Sequence, residues 1–86
     1  MSVYVDDMQA SYGRMVMCHM IADSSQELIA MALKIGVHPK WIQCHGTYKE
    51  HFDICLAKKT LALKNGALQV TQIELARKLV ERRKKP

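Results

Sequence analysis

The hydrophobic positions of the 86-residue chain fall into short runs separated by polar punctuation. Val3-Tyr4-Val5 is a β-branched and aromatic triplet closed by Asp6-Asp7, the pattern of a short strand. Residues 8–14, which include Tyr12-Gly13, read as a loop. Residues 15–22, MVMCHMIA, are apolar at odd and even positions alike, so the run predicts a strand covered on both faces. A helix follows. Ser24 and Glu27 have capping-box spacing, Leu28, Met31, Ala32 and Ile35 share one stripe, and Gly36 fits the position after the last turn. Pro39 forbids further helix, and WIQC (41–44) predicts another strand.

HGTYKEH (45–51) is polar and contains glycine, the composition of an exposed loop. Asp53 is placed to cap a second helix running to Asn65, with Gly66 ending it. ALQV (67–70) predicts a short strand. Thr71 and Glu74 repeat the capping-box spacing and open a last helix with Leu75, Ala76, Leu79 and Val80 inward. Strands alternating with helices predict the α/β class: one small layered domain over 1–81, with a short mixed, partly parallel sheet and about three helices. A basic tail, 82–86, closes the chain.

A chain of this length buries little more than ~60% of the surface its unfolded form exposes. With a thin core and a strand apolar on both sides, self-association, most simply as a dimer, is expected. Three cysteines (Cys18, Cys44, Cys55), no C-x-x-C pair and no secretory leader predict a reduced cytoplasmic protein. The longest apolar stretch is interrupted by His19 and is far short of the ~18 residues a membrane helix needs, so no membrane span is expected. The net charge of +5 changes meaning once it is located. Residues 77–86 hold six Lys/Arg against Glu81, whereas residues 1–76 hold seven basic and seven acidic side chains. The excess therefore belongs to the helix end, where it complements the dipole and aids solubility, with a weak nucleic-acid contact as the alternative.

His19 is a polar group inside an apolar run and requires a polar partner or a ligand. In open α/β sheets ligands bind beyond the carboxyl ends of strands, where Asp6 stands. His51 and Asp53 are two residues apart on an extended segment and point the same way. With Asp6 and His19 they form a two-His, two-carboxylate set that could hold a divalent metal or orient an imidazole, although no zinc-type spacing is present. The structural alternative makes Asp53 a helix cap and His51 a loop residue. Arg14 and Lys58 are candidate holders of an anion, and Trp41 is either a core or interface residue or a stacking platform. His38 and His45 read as surface residues. Cys18 adjoins His19 but faces the other side of the strand, which argues against a Cys–His nucleophile pair. No phosphate-binding glycine loop, nucleophile elbow or H-E-x-x-H pattern occurs.

VYVDDM, GRMVMCHMIAD, Glu27-Leu28, Gly36, Trp41, HFDI, NGA and TQIELARKL resemble small bacterial and phage proteins of the domain of unknown function 4031 family. The resemblance spans nearly the whole chain. It implies family positions at Asp6, Arg14, His19, Asp23 and the triplet His51-Phe52-Asp53; where relatives often carry a tryptophan two residues before the histidine, this chain has Met17. It supports a polar site without assigning chemistry, and leaves open whether the chain is an enzyme. Three readings follow. One is a pocket of Asp6, Arg14, His19, His51 and Asp53, with Trp41 and Lys58, binding a small anionic or nucleotide-like molecule; in a phage this would sequester or sense a nucleotide in the host cytoplasm. The second is a metal-dependent hydrolase or nuclease using the same His/Asp set. The third is an interaction protein with a basic tail.

Overall fold

Alternating side chains sort the strands' two faces. The computed structural model describes residues 2–84, including every side chain in that span except those of Tyr12 and Lys84. In chain order its elements are β1 (Val3–Val5), β2 (Ala10–Tyr12), β3 (Met15–Ala22), α1 (Ser25–Ile35), a 3-10 turn (Pro39–Trp41), β4 (Phe52–Cys55), α2 (Leu56–Lys64), β5 (Leu68–Gln69) and α3 (Gln72–Lys84). The sheet is mixed, and the fold is α/β as expected. β3 is central: β1 and β2 pair antiparallel with successive parts of it, β4 pairs antiparallel with it as well, and β5 lies parallel to β1.

Val3, Val5, Cys18, Met20, Ala22, Phe52 and Ile54 point to one face, where they form the core with Leu28, Met31, Ala32 and Ile35 of α1 and Ala62 of α2. The opposite face carries Tyr4, His19, Ile21, His51 and Asp53, and α3 crosses part of it. Lys78 stands 4.0 Å over the Tyr4 ring, and Leu75 is buried. The two-sided covering expected of residues 15–22 therefore holds at Ile21, which is buried, and fails at Met15, which is 47% exposed.

The caps of α1 form as the spacing implies. Ser24 Oγ accepts from the Glu27 N–H at 3.2 Å, and Gly36 adopts the left-handed conformation, φ 80°, after the last turn. Three local expectations are corrected. Residues 10–12 of the expected loop form β2. WIQC is no strand: Pro39 starts a 3-10 turn through Trp41, and Gln43 alone makes a bridge, to His51. Asp53 does not cap α2, because Phe52 and Ile54 are needed in the core and hold residues 52–55 extended; α2 begins after Cys55 without a side-chain cap. Of the expected basic tail, Arg82–Lys84 continue α3, while Lys85 and Pro86 lie outside the described residues. No helix among the described residues is long and apolar enough to cross a membrane.

Candidate metal centre

The site is built where β1 leaves β3. Val5 pairs with Met20, and the Asp6 N–H donates to the His19 carbonyl at 3.1 Å. In a regular hydrogen-bonded pair the His19 N–H would return to the Asp6 carbonyl. It donates instead to Asp6 Oδ1, at 2.9 Å, because the chain lifts away over residues 7–9 before β2 rejoins β3 at Ala10 opposite Met17. Asp6 is 1% exposed, so its charge depends on these bonds: Oδ1 also accepts from the Met8 N–H at 3.3 Å, and Oδ2 accepts from His19 Nδ1 at 2.7 Å. The polar partner required for His19 is thus Asp6.

On the other side of β3, His19 stands opposite Asp53 in the β3–β4 register, and His51 projects from the same face two residues earlier. The Gln43–His51 bridge is a two-bond backbone pair, Gln43 N–H to His51 carbonyl at 2.8 Å and His51 N–H to Gln43 carbonyl at 3.1 Å. It brings the Gln43 side chain over β4, where Nε2 donates to Asp53 Oδ2 at 2.7 Å. Asp53 Oδ1 is left facing His51 Nε2 at 3.4 Å and His19 Nε2 at 3.8 Å. It is buried and makes no hydrogen bond.

The tautomers follow from the outer partners. A backbone carbonyl only accepts, so His51 Nδ1, 2.7 Å from the Lys49 carbonyl, carries a proton; the Asp6 carboxylate requires the same of His19 Nδ1. In the neutral rings both Nε2 atoms then present lone pairs. With both rings neutral, three acceptors converge, all within 4.8 Å of one another. The rings meet edge to face, with centroids 5.4 Å apart and planes at 75°.

Two hollows reach this cluster. One, of about 570 Å³, is lined by His19, Gln43 and Asp53 together with Met8, Met15, Met17, Val37 and Trp41. The other, of about 470 Å³, reaches Asp6, His19 and His51 from beneath Leu75 and Leu79 of α3. The four residues of the expected His/Asp set are therefore adjacent, and Trp41 lies in a cavity wall, 63% exposed, rather than in the core. Arg14 and Lys58 do not join them. Arg14 is exposed in the turn between β2 and β3, and the Lys58 ammonium lies 3.1 Å from the Cβ position of Gly36, at the end of α1. Asp7 accepts from the Gln72 N–H at the start of α3, and Asp23 accepts from the Ser2 N–H. Cys18 points into the core, where burial pushes its thiol up to about 11 against the pull of Lys59, so it is no nucleophile for His19.

Two functional supports escape a sequence reading. Gln43 sat within an expected strand with nothing to mark it. Glu50, beside His51, is 3% exposed and closes the 44–50 loop. Its carboxylate accepts from Ser25 Oγ at 2.7 and 2.9 Å and from the Gly46 N–H at 3.1 Å, and it pairs with His45 Nδ1 at 2.8 Å. Burial alone would raise its pKa, but the Ser25, Gly46 and His45 contacts outweigh burial and hold the carboxyl below its ordinary 4.5.

Neither the curated proteins nor the solved structures offer a match to this chain. The model of the DUF4031 family, described as protein of unknown function, matches residues 3–83, and the chain belongs to that family.

Proposed function

We propose that the chain is a metal-dependent hydrolase whose centre is one divalent cation held by His19 Nε2, His51 Nε2 and Asp53 Oδ1. The observation that carries this reading is the unpaired, buried Asp53 Oδ1 facing two imidazole nitrogens whose protons are engaged elsewhere. A cation turns three mutually repelling acceptors into ligands. Two imidazole nitrogens with one carboxylate oxygen are a donor set that suits zinc better than magnesium, which prefers oxygen ligands. Asp6 and the Lys49 carbonyl supply the outer hydrogen bonds that fix metal-binding imidazoles.

Three protein ligands leave a coordination position for water, the arrangement of catalytic rather than structural zinc. A cation held there would lower the pKa of such a water to about 7. Hydrolysis would then add the water oxygen to the electrophilic centre of an ester. The bond to the leaving oxygen breaks with its electron pair, that oxygen takes up a proton, and one water is consumed to give acid and alcohol. An anion pocket without metal is less well supported, because Arg14 and Lys58 lie away from the cavity; a small anion would be held through the cation.

The test is thermal unfolding with and without zinc. Saturation at about a hundredfold over Kd is expected to raise the Tm by on the order of 10 °C. EDTA is expected to remove the shift, and His51→Ala or Asp53→Asn to abolish it. Absence of both a zinc-dependent shift and zinc-bound mass in native mass spectrometry refutes the reading.

A further inference from the structure

The cavity beside the proposed centre is divided in character. Its polar side chains are Ser11 and the neighbouring His19, Gln43 and Asp53, while Met8, Met15, Met17, Val37 and Trp41 supply most of the remaining wall. Among the described residues no Lys or Arg lines it. An anionic group entering this space therefore has the metal as its counter-charge, and the rest of the molecule meets apolar, polarisable surface. Trp41 sets the shape of that surface. It is the only tryptophan of the chain and stays 63% exposed, so its ring is available for stacking, and the Lys40 ammonium, 5.1 Å from the ring centroid, restrains it. A volume of about 570 Å³ lies within the range of small-molecule sites.

Resting on the metal centre proposed above, we infer that the substrate is a phosphate monoester bearing a planar aromatic ring. The ring lies against Trp41 and the methionines, and the phosphate binds the cation. Hydrolysis forms a bond from the water oxygen to phosphorus and breaks the bond from phosphorus to the ester oxygen. The ester oxygen leaves with the electron pair and gains a proton, giving inorganic phosphate and the ring-bearing alcohol. Nucleoside monophosphates and simple aryl phosphates share this chemistry.

The experiment uses the full chain loaded with zinc and compares phenyl phosphate, adenosine monophosphate and inorganic phosphate by calorimetry, with Trp41 emission as the reporter of position. At least one monoester is expected to bind about tenfold or more tighter than inorganic phosphate and to change the emission, in keeping with the strength of ring stacking. The tighter of the two identifies an aryl or a nucleoside source. Trp41→Ala is expected to erase the preference over inorganic phosphate, and Trp41→Phe to restore part of it. Zinc binding with equal affinity for all three anions overturns the substrate class and leaves the metal centre standing. Failure to bind zinc, or monoester binding indifferent to zinc, overturns both. A preference that survives in Trp41→Ala overturns the placement of the ring.

Discussion

At Asp53 the two carboxylate oxygens have opposite circumstances: Oδ2 accepts from Gln43, while Oδ1 meets only acceptors. Asp53→Asn exploits this. The amide oxygen can keep the Gln43 bond while the amide N–H groups donate toward the imidazoles. In EDTA the variant is therefore expected to be more stable than the native chain by about 1 kcal/mol, and in zinc less stable. Thermal unfolding in the two conditions checks it, and a loss of stability in EDTA would show that Oδ1 is satisfied. Asp6→Asn acts on the ligand itself. An amide nitrogen facing His19 Nδ1 forces the ring proton to Nε2, so zinc affinity is expected to fall about 10- to 100-fold by calorimetry. The principal residues were legible in the sequence because their signals are local: a histidine stranded in an apolar run, an acid closing a strand, a His-x-Asp alternation. Arg14 and Lys58 drew attention by charge alone, and charge does not say which side of a sheet a side chain reaches.

Elements were legible where the pattern is self-contained. α1 carries its own cap, stripe and terminal glycine, and its boundaries follow from them. The stretch around Asp53 offered a local choice between helix cap and strand that only the core decides, since Phe52 and Ile54 fill it when the segment is extended. Gln43 and Glu50 were illegible for a related reason: one acts through a single backbone bridge, the other through closure of the 44–50 loop onto Ser25. That closure has a pH signature. The folded Glu50 carboxyl releases its proton more readily than in the unfolded chain. Its stabilisation is complete above its ordinary pKa of 4.5 and fades as the pH drops through the lower folded value. Glu50→Gln is expected to lose about 1–3 kcal/mol at neutral pH and to flatten the fall of stability toward acid. Urea unfolding from about pH 7 down to about pH 3 checks both. An unchanged acid limb would mean that the clamp is not ionised.

On the scale of the whole molecule, the two faces of the sheet divide the work. α1 and α2 close one face with the apolar core, while α3 covers the other only in part and leaves the His/Asp cluster reachable from either side. α3 is also where the net positive charge collects, and its structure divides the expected tail. Arg82 donates to the Glu50 carbonyl at 3.5 Å, and the Arg83 guanidinium stands 5.8 Å from the Tyr48 ring. Both contacts tie the helix end to the loop that carries His51, and each is worth about 1 kcal/mol or less. Deleting Lys84–Pro86 is therefore expected to leave the Tm unchanged, whereas deleting Arg82–Pro86 lowers it by about 4–8 °C, the equivalent of roughly 1 kcal/mol in a domain of this size. Both truncations are expected to weaken any low-salt retention on DNA, since they remove phosphate-binding charge from an otherwise neutral body. Scanning calorimetry of the two truncations decides the structural part. Equal melting temperatures would show that Arg82 and Arg83 serve charge alone, and that the loop holding His51 is kept in place by Glu50 without help from the helix.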